Sequence, residues 1–248
     1  MAGTAEPTST WIEDAAPATI LDDQLARVML VGSPTTMPDL SVVSDIPKGP
    51  QAHVAIQGSA TDPIGTHFHG VDQFQVFVRG SGTVGGHQVV EGTAHYADRY
   101  TVYGPLRPGP AGMAYLTLRA DHDTGVSFMP AAREKLADAL QASGRSAADR
   151  RNLTIELHDP ADSGTWQDLV EEDDGLRMAV SVPGPGEDVK ALPVAGAGGY
   201  ALVLEGSLVT GEGRSTPTGS LRWLPAGSEI AGRAGPAGAR VVLLQFPA

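Results

Sequence analysis

Short runs of alternating apolar and polar residues fill the first half of the chain. An alternation with a period of two is typical of a β-strand that buries one face. The runs lie at residues 26–31, 51–57, 73–78, 81–90, 92–103 and 113–119. Gly- and Pro-containing segments separate several of them at roughly even spacing. Short antiparallel strands in this arrangement predict an all-β domain, either closed or sandwiched.

Residues 130–140 break this pattern. Pro130 lies near the start of the segment, helix-forming residues follow it, and Gly144 lies beyond its end. Leu136 and Leu140 are four residues apart and give a narrow apolar stripe. The segment is predicted to be a helix, and residues 130–151 to be a helical linker.

The second half of the chain repeats the strand pattern of the first. Strands are predicted at residues 153–157, 176–182, 200–205, 220–224 and 240–246. This similarity of pattern predicts an internal duplication of one β-architecture. The resulting domain prediction is 1–129, then the linker 130–151, then 152–248.

Composition narrows the function classes. The 248 residues include no cysteine, so neither a disulfide nor a thiolate is available. A net charge of −12 disfavours binding to nucleic-acid phosphates. Residues 1–17 lack the features of a signal peptide, and no apolar run is long enough for a membrane helix. The expectation is a soluble, cytoplasmic protein that acts on a small molecule, without nucleic-acid or membrane partners.

The segment Thr66-His67-Phe68-His69 carries the strongest chemical signal. Two residues separated by one position share a face of a β-strand, so His67 and His69 can point at one object while Phe68 points away. Imidazole is the commonest neutral ligand of divalent metals. Gln73 follows at a spacing that could supply a third ligand.

This arrangement resembles the first motif of the cupin superfamily, in which His-x-His is followed by a third ligand and then by a closing glycine. Here these positions are His67, His69, Gln73 and Gly80, and cupins usually have Glu where this chain has Gln73. The resemblance covers residues 26–120, with a fainter copy at 152–248. It implies two cupin-type (double-stranded β-helix, or jelly-roll) barrels with a divalent transition metal in the first.

The second cupin motif, which supplies a fourth ligand, is not matched. Aligned on Gly92, it would place Pro, Gly and His at Asp98, Tyr100 and Tyr103. His95 is the nearby histidine that could replace the missing ligand. Tyr103 is the alternative fourth ligand, or else supplies a hydroxyl group to the pocket.

The second copy lacks metal ligands altogether. Counting back from Gly206, its ligand positions fall on Pro193, Ala195 and Gly199, and Ile230 stands where the second motif has histidine. The resemblance therefore implies one competent site and one structural copy.

Structural roles are the alternatives to ligation. His67 and His69 could be ordinary strand histidines, Gln73 could hydrogen-bond a ligating imidazole instead of the metal, and His95 could bond the backbone. The residues expected to line a substrate pocket next to the metal are His53, Gln75, Phe77, Tyr103 and Tyr115.

A ligand set of His67, His69, Gln73 and His95 contains only neutral donors, so a bound metal keeps its full charge. Such a site favours an anionic or enolisable substrate and favours Fe(II), with Mn, Ni, Zn and Cu as alternatives. The predicted function is a metal-dependent oxidoreductase of the dioxygenase type. A non-redox lyase, isomerase or hydrolase and a non-catalytic binding protein are the alternatives, and a homodimer is the assembly considered.

Overall fold

The computed structural model describes residues 9–11, 25–31, 48–146, 148–211 and 213–248. The chain divides into two compact units, with boundaries at 16/17 and 156/157. Each unit contains one large antiparallel sheet, and the described residues include one α-helix. The all-β prediction is confirmed for these residues. Closure of the sheets into barrels, and the role of the helix as a linker, stay predictions.

Strands are numbered in chain order. β1 (Ser9–Trp11) belongs to the second unit. The first unit contains β2 (Leu25–Val31), β3 (Gln51–Gln57), β4 (His67–Phe68), β5 (Gln73–Val84), β6 (His87–Val90), β7 (Thr93–Ala97), β8 (Leu106–Arg119), β9 (Ser127–Phe128) and β10 (Asn152–Glu156). The second unit continues with β11 (Trp166–Glu171), β12 (Arg177–Ser181), β13 (Asp188–Pro193), β14 (Gly199–Val209), β15 (Ser215–Pro217), β16 (Ser220–Leu224) and β17 (Glu229–Gln245).

The two main sheets have the same topology. The first has the strand order β10-β7-β5-β8-β3-β2, with β6 paired to β5. The second has the order β1-β16-β14-β17-β12-β11, with β15 paired to β14 and β13 to β17. β4 and β9 form a separate two-stranded sheet in the first unit. The matching strand paths support the predicted duplication.

The side chains of equivalent strands also correspond. Phe74 on β5 lies opposite Tyr96 on β7, with ring centroids 4.8 Å apart. At the same register in the second sheet, Tyr200 on β14 lies opposite Trp223 on β16, with ring centroids 4.9 Å apart. Cross-strand aromatic pairs of this kind stabilise sheets. The register therefore makes Gly199 the counterpart of Gln73.

Two glycines occupy the same tight bend in the two sheets. Gly80 has φ +72° and Gly206 has φ +70°, a region that favours glycine. A Cβ on Gly80 would overlap the carbonyl oxygen of Gly112, and one on Gly206 would overlap that of Gly238. Each glycine thus allows the long central strand to bend closely past its neighbour.

Replacing either Gly80 or Gly206 with alanine is expected to lower the stability of its unit by about 3 kcal/mol, because left-handed strain and steric overlap add. Urea denaturation followed by circular dichroism measures the change. Gly86→Ala is the matched control, since nothing lies within 4 Å of a Cβ at that position. Equal midpoints for Gly80→Ala and Gly86→Ala would contradict the close packing.

The units differ from the predicted domains at their edges. β10, predicted to begin the second domain, pairs with β7 of the first unit. The buried Asp98 at the end of β7 anchors this connection, because it accepts hydrogen bonds from the Arg151 backbone and guanidinium and from the Tyr96 hydroxyl. β1, predicted to lie in the first domain, pairs instead with β16. Residues 1–8 and 12–24 lie outside the described residues.

The helix α1 (Arg133–Ser143) begins three residues later than predicted. Gly144 ends it in the left-handed conformation, with its N–H directed to the Gln141 carbonyl oxygen. Leu136 and Leu140 are half-buried, as their predicted stripe requires. Within the described residues, no helix has the length and apolarity needed to span a bilayer.

Candidate functional site

One face of the first sheet carries polar side chains on neighbouring strands from β3 to β10. We call it the polar face, and it comprises Gln51, His53, Gln73, Gln75, His95, Thr117, Arg119 and Thr154. His53 and Thr154 are half-buried and the other six are buried. Burying so many polar groups is costly unless they bind each other or a ligand. The polar face is therefore the strongest candidate for a functional surface in this unit.

Strand register explains why these side chains meet. Gln75 lies opposite His95 on one side and Thr117 on the other, and Thr117 in turn lies opposite His53. Directly opposed residues in antiparallel strands project from the same face. The predicted pocket residues His53 and Gln75 are thus brought together with the predicted ligand His95.

The other predicted pocket residues lie beside this row. Phe77 lies opposite Tyr115, with ring centroids 5.3 Å apart, and both belong to the same buried cluster as Tyr103. They form an apolar wall next to the polar groups. Contact between a substrate and these three aromatic residues stays a prediction.

His67 and His69 come from the short strand β4 and the residue just beyond it. The backbone groups of His67 and Tyr103 are mutually hydrogen-bonded at 3.0 Å, which fixes β4 beside Tyr103. The two imidazole centroids are 5.2 Å apart, and Phe68 is buried. The structure therefore places the two imidazole rings next to each other.

Each of the three candidate histidine ligands has a partner at Nδ1. His67 Nδ1 lies 2.6 Å from the Gly65 carbonyl oxygen, and His69 Nδ1 lies 2.7 Å from Asp123 Oδ2. His95 Nδ1 lies 3.0 Å from Thr154 Oγ1. The carbonyl and carboxylate acceptors assign the protons of His67 and His69 to Nδ1 and the lone pairs to Nε2. This is the tautomer that metal-binding histidines usually adopt. The Thr154 hydroxyl can donate or accept, so it orients the His95 ring without fixing its tautomer.

Burial keeps His95 neutral. Desolvation first, then the neighbouring His87 and His67, lower the pKa of His95 from 6.5 to about 4. Its Nε2 atom is buried and has no hydrogen-bond partner among the described residues. Gln75, directly opposite, has a buried Oε1 atom that also lacks a partner there. Two adjacent acceptors are thus available for a metal or for ligand donors.

The metal-free chain is expected to lose stability as the pH falls from about 6.5 to about 4. In this window the unfolded chain protonates His95 while the folded chain does not, so folding becomes less favourable by about 3 kcal/mol. Urea midpoints of the wild-type chain and of His95→Gln across this range measure the effect. Parallel pH dependences in the two proteins would contradict it.

Tyr103 occupies the position of the missing cupin histidine. Its ring centroid lies 4.6 Å from that of His67, 5.1 Å from His95 and 6.3 Å from His69. Tyr100, at the position of the motif glycine, has φ +64°, in the left-handed region that favours glycine. Burial raises the pKa of Tyr103, which keeps its hydroxyl protonated. Tyr103 therefore supplies a neutral hydroxyl group at the centre of the site.

The predicted ligand Gln73 is held in a hydrogen-bonded network. Its Nε2 donates to the Tyr103 hydroxyl at 2.7 Å, and its Oε1 accepts from Arg119 Nε at 2.9 Å. A carbonyl oxygen has a second lone pair, so this contact does not by itself prevent ligation. The geometry nevertheless matches the alternative role, in which the amide orients its neighbours. Ligation by Gln73 stays a prediction.

Arg119 and Asp123 belong to the site but were not predicted. Arg119 Nη2 lies 3.4 Å from Asp123 Oδ2, and both side chains are buried. Burial alone would raise the pKa of Asp123, but the Arg119 charge and the hydrogen bond from His69 hold that pKa well below its usual range. The alternation Tyr115, Thr117, Arg119 could have placed the arginine on the polar face. No local pattern indicates Asp123.

The kinds of donor atoms in the site suit a transition metal. Their positions, however, do not already form a metal-binding cluster. The buried, unpartnered Nε2 of His95 and the Nδ1 partners of all three histidines favour a nitrogen-ligated ion. In the part of the chain that is described, however, no three His, Asp or Glu side chains are grouped to hold one. Binding of a metal would therefore require the histidine side chains to move, or oxygen donors such as Gln73 and Tyr103 to complete the ligand set.

No protein-family profile and no curated protein sequence matches the chain. Solved structures do match it. The bacterial pirin YhhW of Escherichia coli, in complex with nickel(II), matches with a TM-score of 0.60 at 10% identity, covering 98% of this chain and 100% of the pirin.

Two further structures match at similar levels. A candidate dioxygenase of Nostoc punctiforme has a TM-score of 0.59 at 10% identity, with 97% of this chain and 79% of that chain covered. A cupin 2 conserved barrel domain protein of Leptotrichia buccalis has a TM-score of 0.53 at 11% identity, with coverages of 98% and 97%. These likenesses extend over both units and agree with the duplicated sheets. The chain therefore shares the overall fold of these structures, one of which is described as a cupin barrel domain protein.

Proposed function

We propose that this protein is a metal-dependent cupin enzyme that acts on a small organic anion, with dioxygenase-type oxidation as the reaction. The observation that carries the proposal is that His67, His69 and His95 each have an oxygen partner at Nδ1. Two structural neighbours support it, since one is described as a nickel complex and another as a candidate dioxygenase.

The metal would be held by His67, His69 and His95, with Gln73 or Tyr103 as the oxygen donor. When bound, a divalent transition metal supplies Lewis acidity and, for Fe(II), reactivity toward oxygen. Asp123 holds the His69 ring by accepting a hydrogen bond from its Nδ1–H group, and Thr154 is the Nδ1 partner of His95. These contacts orient the two rings, and the Asp123 carboxylate also fixes the tautomer of His69.

Charge balance indicates the substrate class. Arg119 and Asp123 compensate each other, and the His95 imidazole and the amides of the polar face are neutral. A divalent ion would therefore add two uncompensated charges to a buried site, which is costly without an anion. A carboxylate or an enolate is the expected partner of the metal and of the neighbouring Arg119.

A second polar contact adds to this specificity. The unpartnered Gln75 Oε1 can accept a hydrogen bond from a substrate hydroxyl, and Tyr115 and Phe77 supply an apolar wall nearby. A hydroxylated or enolisable organic acid satisfies both requirements. The Tyr103 hydroxyl, kept protonated by burial, can donate a hydrogen bond to an anionic oxygen.

The test is anaerobic loading with Fe(II), followed by metal quantification and oxygen-electrode measurements with hydroxy acids and diketones. We expect about one metal ion per chain and substrate-dependent oxygen uptake. Turnover without oxygen uptake would instead indicate a lyase, isomerase or hydrolase. Absence of stoichiometric binding with any of Fe(II), Mn(II), Ni(II), Zn(II) or Cu(II) would contradict the proposal.

A metal-independent small-anion binding protein is the second candidate. It is favoured by the Arg119–Gln73 hydrogen bond and by the lack of a three-ligand cluster among the described residues. Ligand binding that survives complete chelation of metal would support it over the enzyme.

A further inference from the structure

The second unit contains a cavity of about 240 Å³ between strands β14, β16 and β17. Its apolar lining includes Val203, Leu208, Leu224, Ile230 and Val241. Apolar cavities with a few polar groups are the usual form of small-molecule sites. The volume lies below that of drug-sized pockets, so an occupant would be a small molecule.

The cavity lies where the first unit has its polar face. Ala201 lies opposite Arg222, at the register of Gln75 and His95 in the first sheet. The duplication thus places an arginine at the position equivalent to His95, and a small alanine at that of Gln75.

The second unit also has smaller side chains at the positions where the first unit has its aromatic wall. Val203 lies opposite Val241, at the register of Phe77 and Tyr115. Two valines occupy much less volume than two aromatic rings. The space opened by smaller side chains is therefore apolar and holds no histidine, so it does not suit a metal.

Arg222 gives this apolar space a positive charge. Its side chain is half-buried and has no hydrogen bond or ion pair with any other described residue. Thr216 and Ser220, also in the lining, already donate their hydroxyl protons to the carbonyl oxygens of Leu208 and Pro217. The carboxylate in the lining, Glu229, is on an exposed residue. A second arginine in the lining, Arg214, is exposed, whereas Arg222 is half-buried and lies opposite Ala201 of the lining. Arg222 is therefore the group best placed to receive an anion.

We propose that the cavity of the second unit binds a small organic monoanion with an apolar body, such as an aromatic carboxylate. The guanidinium of Arg222 would bind the carboxylate, while Val203, Ile230 and Val241 pack against the apolar part. Such a site is distinct from the one on the polar face and does not depend on a metal. The second copy of the fold is then a ligand-binding unit and not solely a structural one.

Calorimetric titration with benzoate, with benzamide as its neutral analogue, tests the proposal. We expect the wild-type chain to bind benzoate and to bind benzamide at least roughly tenfold more weakly, because charge-assisted hydrogen bonds are the stronger kind. Arg222→Met should weaken benzoate binding by a similar factor. Arg107→Met is the matched control, since Arg107 is an exposed arginine of the first unit.

A second variant keeps the result interpretable. Ala201→Leu fills the cavity without changing its charge and should also weaken benzoate binding, so it replaces Arg222→Met if that variant fails to fold. The proposal is overturned if the wild-type chain binds no benzoate, or if Arg222→Met and Ala201→Leu bind it normally.

Discussion

Replacing His67 or His69 with alanine is expected to reduce the metal content of the loaded protein from about one ion per chain to background. Each substitution removes a neutral nitrogen donor that the fold already orients through its Nδ1 partner. Loss of an outer partner typically weakens metal binding roughly 10- to 100-fold, so loss of a ligand should have a larger effect. Metal quantification after loading and desalting measures it.

His87→Ala is the matched control, because His87 lies on the exposed strand β6. It should retain the full metal content, and its thermal midpoint should still rise when metal is added. Wild-type metal content in both His67→Ala and His69→Ala would exclude the proposed ligands. Retained binding in Gln73→Ala would assign Gln73 the orienting role that its contacts suggest.

Asp123→Ala is expected to destabilise the first unit by about 3–5 kcal/mol. The substitution leaves the buried Arg119 guanidinium without its carboxylate and removes the hydrogen-bond acceptor of His69 Nδ1. An uncompensated buried charge accounts for most of this cost. Urea denaturation of the metal-free protein measures the loss.

Asp121→Ala provides the comparison, since the Asp121 side chain is 57% exposed and its ion pair is with His122. A change of less than about 1 kcal/mol is expected for it. Combining Asp123→Leu with Arg119→Met should restore part of the stability, because the unpaired charge is then absent. Equal effects of the two single aspartate substitutions would show that Arg119 does not depend on Asp123.

The sequence was sufficient to predict most of the central strands, the duplicated pattern and four residues of the polar face, namely His53, Gln73, Gln75 and His95. A period of two places Gln73, Gln75 and Phe77 on one side of β5, and the structure agrees. The fold followed from a short motif, because its histidines and closing glycine occur at a characteristic spacing. The same spacing, counted back from Gly206, predicted that the second copy lacks metal ligands.

The partners of the histidines could not be predicted. Asp123 lies 54 residues from His69, and Thr154 lies 59 residues from His95. Such contacts depend on which strands pair, and local periodicity carries no information about that. The sequence analysis placed β10 in the second domain for the same reason, since the pairing of β10 with β7 in the first unit depends on Asp98 and Arg151.

Strand β10 lies at the edge of the first sheet, and its position limits where the chain can be divided into fragments. A fragment ending at residue 129 would lack β10, so β7 would become an unprotected edge available for intermolecular pairing. The same truncation would remove Thr154, the Nδ1 partner of His95. A recombinant first half should therefore extend through Glu156, and shorter versions should aggregate and hold His95 less firmly.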